Sequence, residues 1–239
     1  MLVFWEQRLA ILATPKTGST AIETALDSLA TLSIQRPAVL KHTSVQRFHR
    51  FIGPYLETTF GQPFTVVALM REPRDWLGSW FRYRQRDDLA DPQKSTRGMD
   101  FDRFVNAWCD DPQPEFAKVG SQSRFLKPKG ERGLDHLFRY EEIDTFVHFL
   151  EDRLDCEIIL PRLNVSPDAP LDLSPTTEAR LRTALVDAAP DAPARAWGGV
   201  GGRRRFSTDL RPRGPGGGEA DRDVPLRRLR RRQVVREEN

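Results

Sequence analysis

A short loop near the start of the chain carries residue types that bind phosphate groups. Residues 14–20 read Thr-Pro-Lys-Thr-Gly-Ser-Thr. The lysine supplies a mobile positive charge, the glycine lets an anion approach the backbone, and the last two residues offer hydroxyls. Because a strand is predicted before the loop and a helix after it, free N–H groups and the helix dipole would face a bound anion. We therefore predict anion binding by Pro15, Lys16, Thr17, Gly18, Ser19 and Thr20. Taken alone, the pattern is equally typical of an ordinary capped helix start with a solvated lysine.

A second segment with phosphate-binding potential follows the most apolar run of the chain. Residues 64–70 read Phe-Thr-Val-Val-Ala-Leu-Met, a pattern typical of a central strand in a parallel sheet. Arg71 follows this strand, and an arginine at such a position can hold a phosphate with two hydrogen bonds. Ser79, on the next predicted helix, would add a hydroxyl. Taken alone, the pattern is equally typical of a surface arginine paired with Glu72 or Asp75.

The elements that must position these segments alternate along the chain. Apolar periodicity and turn residues predict strands over residues 8–14, 38–42, 64–70, 135–140 and 156–160. Helices are predicted from Thr20, where Glu23 completes a capping-box spacing, and over residues 44–57, 75–86, 100–108, 143–154 and 174–187. Alternation of this kind predicts an α/β fold with a three-layer, doubly wound parallel sheet. Ligands then bind beyond the carboxyl ends of the strands.

Length and charge distribution predict one folded domain with a tail of different composition. The 239 residues suffice for a single α/β domain, which we assign to residues 1–188. Residues 189–239 are rich in Arg, Gly and Pro, and they are predicted to be disordered. Residues 191–239 hold 13 Arg and 7 acidic residues, so the basic pI of about 9.1 comes from this tail. Two hypotheses stay open for it: a basic arm for nucleic acid or anionic membrane, and a shifted reading frame in a GC-rich gene.

Several classes of protein are disfavoured by what the sequence lacks. The two cysteines, Cys109 and Cys156, form neither a CxxC pair nor a Cys/His cluster, so neither a disulfide framework nor a metal site is predicted. No run approaches the length of a membrane span, and the first residues do not read as a signal peptide. We expect a cytoplasmic protein without a membrane span. Because the residues before the tail are slightly acidic in total, we predict no nucleic-acid partner for the domain.

Together, the two phosphate-binding segments resemble the nucleotide-binding elements of the sulfotransferases that use 3′-phosphoadenosine 5′-phosphosulfate (PAPS). The 5′-phosphosulfate loop of that family runs approximately PK-[ST]-G-[ST]-[ST], which residues 15–20 match. Its 3′-phosphate element has R-x-P and a serine eight residues after the arginine, matched by Arg71, Pro73 and Ser79. The resemblance covers roughly residues 9–160. It implies a fold like that of the P-loop nucleoside triphosphate hydrolases.

Two further similarities to the family concern catalysis and the end of a later strand. Lys41 and His42 lie where many members carry a catalytic histidine, and residues 138–142 resemble an R-Y-E-D/E-L segment that contains Tyr140. The resemblance implies that His42 is the general base and that Lys16 stabilises charge on the leaving phosphate. It also implies PAPS as donor, adenosine 3′,5′-bisphosphate as product, no metal, and a small-molecule or carbohydrate acceptor. The tryptophan that follows the loop in cytosolic members is replaced by Ala21 and Ile22.

Two other functions remain open at this stage. A P-loop kinase or another phosphotransferase using ATP would also place Lys, Gly, Ser and Thr between a strand and a helix. Against it, Lys16 precedes the only glycine of the loop, and no clear carboxylate ends a strand to hold Mg²⁺. The third hypothesis is a non-catalytic protein that binds a nucleotide or another anion, which would bind without turnover.

Overall fold

Helices and strands occupy most of the segments in which the sequence predicts them. The computed structural model describes residues 1–130, 132–163 and 168–188, so the predicted tail, residues 189–239, lies outside these ranges. The strands are β1 (Leu2–Phe4), β2 (Leu9–Leu12), β3 (Leu32–Ser33), β4 (Thr65–Met70) and β5 (His136–Arg139). The helices are α1 (Ser19–Leu26), α2 (Ala38–Lys41), α3 (Val45–Arg47), α4 (Gly53–Phe60), α5 (Pro73–Tyr83), α6 (Phe101–Trp108), α7 (Gln122–Leu126), α8 (Ile143–Leu154) and α9 (Pro175–Ala188). A π-helical turn, Phe48–Ile52, joins α3 to α4.

The sheet is mixed, and the prediction of an entirely parallel sheet is wrong. Its strand order is β3-β1-β2-β4-β5. Strands β2, β4 and β5 are parallel, whereas β1 is antiparallel to both β2 and β3. Strand β1 was not predicted, because its three residues are shorter than the window over which periodicity can be detected. The coarser prediction of an α/β fold is confirmed.

Alternating side chains of the central strands build a core on each face of the sheet. In β4, Val67 and Leu69 pack in the same cluster as Ile22 of α1 and Phe146 of α8. On the opposite face, residues such as Ala68 pack with side chains of α3, α4 and the turn between them. A third cluster joins α5, α6 and α9 through buried aromatic side chains that include Phe81, Phe101 and Phe104. The period of two along each strand therefore sends successive residues into different cores.

Two predicted strands do not form. Residues 38–42 begin with helix α2, and the side chains of Val39 and Leu40 are 56% and 50% exposed. The edge of β2 that a second parallel strand would use is already paired with β1, so this segment has no place in the sheet. Residues 156–160 contain no strand, because Ile158 donates its N–H to the Glu151 carboxylate over 2.9 Å instead of to a neighbouring strand.

Helix boundaries lie within a few residues of the predicted ones. Helix α8 coincides with its predicted range, and α9 begins after Ser174, whose hydroxyl accepts the Thr177 N–H over 3.2 Å as predicted for an N-cap. Helix α6 is capped in the same way by Asp100, which accepts the N–H of Arg103 over 2.8 Å. Within the described ranges, no helix is long and apolar enough to cross a membrane.

Candidate anion-binding site

Three loops meet at the edge of the sheet where the parallel strands end. They follow β2, β4 and β5 and begin with Ala13, Arg71 and Tyr140. Because the strands are parallel, their carboxyl ends lie on the same side of the sheet. Arg71 connects the loops: its Nη1 atom donates to the Lys16 carbonyl oxygen over 3.5 Å, and its guanidinium lies 4.8 Å from the centre of the Tyr140 ring. The structure thus brings together the predicted residues of the first loop, Arg71 and Tyr140.

The backbone of the first loop is held in an unusual conformation. Lys16 and Gly18 both have left-handed backbone angles, with φ of 66° and 71°. Lysine adopts this region rarely, so neighbouring groups must hold it there. The Thr17 hydroxyl donates to the Thr14 carbonyl over 3.0 Å, and the Trp76 indole N–H donates to the Pro15 carbonyl over 3.0 Å. The loop is therefore shaped by contacts from within itself and from α5.

Helix α1 begins without a side-chain cap. Its N-cap is Gly18, the helix starts at Ser19, and the capping box predicted for Thr20 and Glu23 does not form. The Glu23 side chain is buried and paired elsewhere. Within the described ranges, the backbone N–H groups of residues 16–20 have no acceptor. Such unpaired donors at the start of a helix favour a bound anion.

Gly18 is required at its position by the Tyr140 side chain as well as by backbone geometry. A β-carbon on Gly18 would lie 2.9 Å from Cε2 of the Tyr140 ring, which is closer than carbon atoms normally approach. The ring therefore lies directly against the first loop, on the face where only glycine leaves room. Because the same ring stacks on Arg71, Tyr140 fixes the distance between the loop and the arginine.

Arg71 carries an unneutralised charge. Its Nε atom is buried and has no hydrogen-bond partner, and no carboxylate pairs with its guanidinium among the described residues. Glu72, one of the partners expected for a surface arginine, is engaged elsewhere, because its carboxylate caps α5 by accepting the Asp75 N–H over 2.9 Å. The Glu72 N–H in turn donates to the Glu141 carboxylate over 2.7 Å. A half-buried guanidinium with an unpaired N–H suits a bound anion with several oxygen atoms.

The Lys16 ammonium lies on two aromatic rings. Its Nζ atom is 3.2 Å from the centre of the Tyr83 ring and 4.6 Å from the centre of the Trp80 ring. Burial lowers the pKa of Lys16 from 10.5 to about 7, with further lowering by the positive charges of Arg86, Arg84 and Arg71. The lysine therefore shares its surroundings with three arginines and has no carboxylate partner among the described residues. Such a concentration of positive charge favours an anionic ligand.

His42 contacts the start of the first loop. It follows α2 directly, and its Nδ1 atom hydrogen-bonds to the Ala13 carbonyl oxygen over 2.7 Å. A carbonyl only accepts, so Nδ1 carries the proton and the neutral ring leaves Nε2 with a free lone pair. Burial lowers the pKa of His42 below its ordinary value of 6.5. A neutral imidazole with an unprotonated Nε2 is the form in which histidine accepts a proton.

Lys41 connects this histidine to helix α1. Its Nζ atom forms an ion pair with the Glu23 carboxylate at 2.7 Å and donates to the Thr20 hydroxyl over 3.2 Å. Thr20 therefore takes part in a side-chain network instead of capping the helix. The pairing joins α2 to α1 across 18 residues of sequence, and the Glu23 side chain has little solvent around it. This network places His42 beside the loop although the predicted strand is absent.

Ser79 was predicted as a site residue, whereas Gln122 and Tyr83 were not. Ser79 lies half-buried on α5, and its hydroxyl has no hydrogen bond to any described residue. Gln122 was missed, although it binds the backbone of Arg71 on both sides, because no local motif marks a contact across 51 residues. Tyr83, whose ring lies under the Lys16 ammonium, is not among the predicted site residues either. Its spacing of three residues from Trp80 on one helix could have indicated an aromatic face for Lys16.

Comparison with known proteins gives no relative for this chain. No protein-family model, no curated protein and no solved structure matches it. The geometry described above and the motifs that resemble the PAPS-dependent sulfotransferases are therefore the observations on which a function can be argued.

Proposed function

We propose that this protein is a sulfotransferase that transfers a sulfuryl group from PAPS to the hydroxyl or amine of a small-molecule or carbohydrate acceptor. One observation carries the proposal. Lys16 and Arg71 lie on loops that follow neighbouring parallel strands, they are joined through the Lys16 carbonyl, and both cations rest on aromatic rings. Neither has a carboxylate partner among the described residues. Two unneutralised cations at adjacent strand ends suit a nucleotide with phosphate groups at both ends of its ribose.

The residues present fit the anionic groups of PAPS. The unpaired N–H groups of residues 16–20 and the Lys16 ammonium would hold the 5′-phosphosulfate, as the resemblance implies. Arg71, whose Nε lacks a partner, would hold the 3′-phosphate together with the Ser79 hydroxyl, and Tyr140 would orient the guanidinium. When bound, PAPS supplies the activated sulfuryl group. The protein contributes position and charge, and these are the main contributions in phosphoryl transfer as well.

His42 acts as the general base in this proposal. With Nδ1–H donated to the Ala13 carbonyl, the free Nε2 takes the proton from the acceptor hydroxyl or amine. The lowered pKa keeps the ring neutral near pH 7, so the base is available without prior deprotonation. Lys16 then stabilises the negative charge left on the phosphate oxygen of adenosine 3′,5′-bisphosphate. Bringing an anion beside Lys16 favours its charged form, so it gains the charge that this role requires.

Calorimetric titration tests the binding half of the proposal. The wild-type protein is titrated with adenosine 3′,5′-bisphosphate and, separately, with Mg-ATP. Arg71→Ala is compared with Arg103→Ala, which removes an exposed arginine from α6 and changes the net charge equally. We expect bisphosphate binding that only Arg71→Ala abolishes. A preference for Mg-ATP would support a phosphotransferase instead, and no binding of either nucleotide would refute both.

Turnover tests the catalytic half. The protein is incubated with PAPS and a panel of phenols, amines and sugars, and the release of adenosine 3′,5′-bisphosphate is followed. We expect His42→Ala to bind the bisphosphate like the wild type but to lose at least about a hundredfold in turnover, the usual contribution of a general base. His148→Ala, which removes an exposed histidine from α8, is the control. Binding without turnover in the wild type would support the non-catalytic alternative.

A further inference from the structure

Gln122 is a buried amide whose hydrogen bonds all go to one residue. It is the first residue of α7, and its side chain is 5% exposed. Its Oε1 atom accepts the Arg71 N–H over 2.8 Å, and its Nε2 donates to the Arg71 carbonyl oxygen over 2.7 Å. A buried amide must satisfy both of its polar atoms, so a glutamine at this position is held in one orientation.

The two hydrogen bonds replace those of a missing strand. Arg71 follows the last residue of β4, and β2 has already ended opposite Ala68, so that edge of β4 has no strand partner at Arg71. In an extended chain, the N–H and C=O of one residue point to the same side. The Gln122 amide, with one acceptor and one donor, meets both groups as a neighbouring strand would. The direction in which β4 leaves the sheet is therefore set by a side chain 51 residues away.

Fixing the Arg71 backbone also fixes the direction of its side chain. With N–H and C=O both bound, the backbone angles of Arg71 are restrained, and with them the direction in which the Cα–Cβ bond leaves the backbone. The guanidinium then lies over Tyr140 and within reach of the Lys16 carbonyl, where its Nε stays without a partner. Nothing else in the described part of the chain binds the N–H or the carbonyl of Arg71.

We propose that Gln122 is the positioning residue for Arg71 and that its paired amide contacts determine how strongly the site distinguishes a 3′-phosphorylated nucleotide from one without that phosphate. The inference rests on the proposed function in that Arg71 is the group that meets the 3′-phosphate. Gln122 itself does not touch the ligand. Loss of the amide leaves the charge of Arg71 in place but removes its orientation, so an effect on selectivity is expected without any change in net charge.

The test compares affinities for adenosine 3′,5′-bisphosphate and adenosine 5′-monophosphate in three variants. Gln122→Met keeps the shape of the side chain and removes both hydrogen bonds, whereas Gln122→Asn keeps the amide but is one carbon shorter, so it cannot reach both groups of the Arg71 backbone. Gln113→Met is the matched control, since Gln113 also binds a backbone carbonyl, that of Trp108. Melting temperatures show which variants fold, and hydrogen exchange of the Arg71 amide reports on the contact directly.

We expect Gln122→Met to weaken bisphosphate binding by about tenfold to a hundredfold, since small misplacements of a binding group can cost this much. Monophosphate affinity should change less than twofold, and the Arg71 amide should exchange faster. Gln122→Asn should show a smaller loss of selectivity and remains informative if Gln122→Met does not fold. Gln113→Met should leave the ratio of the two affinities unchanged.

Two results would overturn parts of this reasoning, and they are distinguishable. If the wild type prefers the bisphosphate and both Gln122 variants keep that preference, Gln122 does not position Arg71, although the proposed function stands. If the wild type shows no preference, the proposed function fails. Hydrogen exchange then decides on Gln122: faster exchange of the Arg71 amide in Gln122→Met would support the positioning role, and unchanged exchange would overturn it.

Discussion

Raising the pH above 7 should weaken anion binding because Lys16 loses its charge. In the ligand-free protein its pKa is lowered to about 7, chiefly by burial and then by Arg86, Arg84 and Arg71. An anion bound at the loop favours the charged lysine and raises this pKa. Binding above pH 7 therefore requires uptake of a proton, and the affinity falls as protons become scarcer.

The size of the effect follows from the fraction of lysine that is protonated. With a pKa of about 7, roughly half of the Lys16 side chains carry a proton at pH 7 and about one in a hundred does at pH 9. If only the charged form binds, the dissociation constant rises about fifty-fold between these pH values. The ligand adds little to this change, because the second ionisation of a phosphate group, near pH 6, is almost complete above pH 7.

The assay is titration of adenosine 3′,5′-bisphosphate at several pH values between 7 and 9 with the wild type and Lys16→Arg. Arginine stays charged throughout this range, so the variant should show a nearly flat profile. The pKa is measured directly from the ¹³Cε resonance of Lys16 in lysine-labelled protein, assigned by its loss in the variant. A pKa near 10 in that titration, or an equal loss of affinity in both proteins, would refute the reasoning.

Three further predictions concern stability and the loop. Lys16→Met should raise the free energy of unfolding by up to about 5 kcal/mol below pH 7, where the cost of burying the charge is fully present. Because the folded pKa is the lower one, the wild type recovers this stability between pH 7 and 10.5, and urea unfolding that shows no such gain with pH would contradict the prediction. Arg84→Met should destabilise the fold by about 3 kcal/mol, because the guanidinium donates to the carbonyl oxygens of residues 115, 116 and 118. Urea unfolding measures this loss, and a value below about 0.5 kcal/mol would contradict the prediction. Gly18→Ala should lower the free energy of unfolding more than Gly61→Ala does, because the β-carbon at position 61 meets open space at a similar φ of 82°. Gly18→Ala should also weaken bisphosphate binding, because the new methyl group displaces Tyr140. Equal unfolding free energies for the two variants would contradict this prediction.

Much of the fold was predictable from local sequence patterns. The apolar run at residues 64–70 predicted β4, and helical periodicity predicted α8 within its observed bounds. Both patterns arise within a short stretch of sequence: β4 is buried on both faces of the sheet, whereas α8 buries one face of the helix. The segments at residues 38–42 and 156–160 were apolar enough to be predicted as strands, yet neither found a sheet edge to pair with. Whether an apolar segment joins a sheet depends on which edges other strands already occupy.

For the candidate site, the sequence by itself determined which chemical groups are available. The loop at residues 14–20 and Arg71 could be identified from residue type, spacing and their positions after predicted strands. The tertiary structure decided how these groups are held. Gln122 binds the Arg71 backbone, Tyr140 excludes a side chain at position 18, and Lys16 rests on aromatic rings with its pKa lowered to about 7. These contacts join residues far apart in sequence, and burial and hydrogen-bond geometry exist only after the chain has folded.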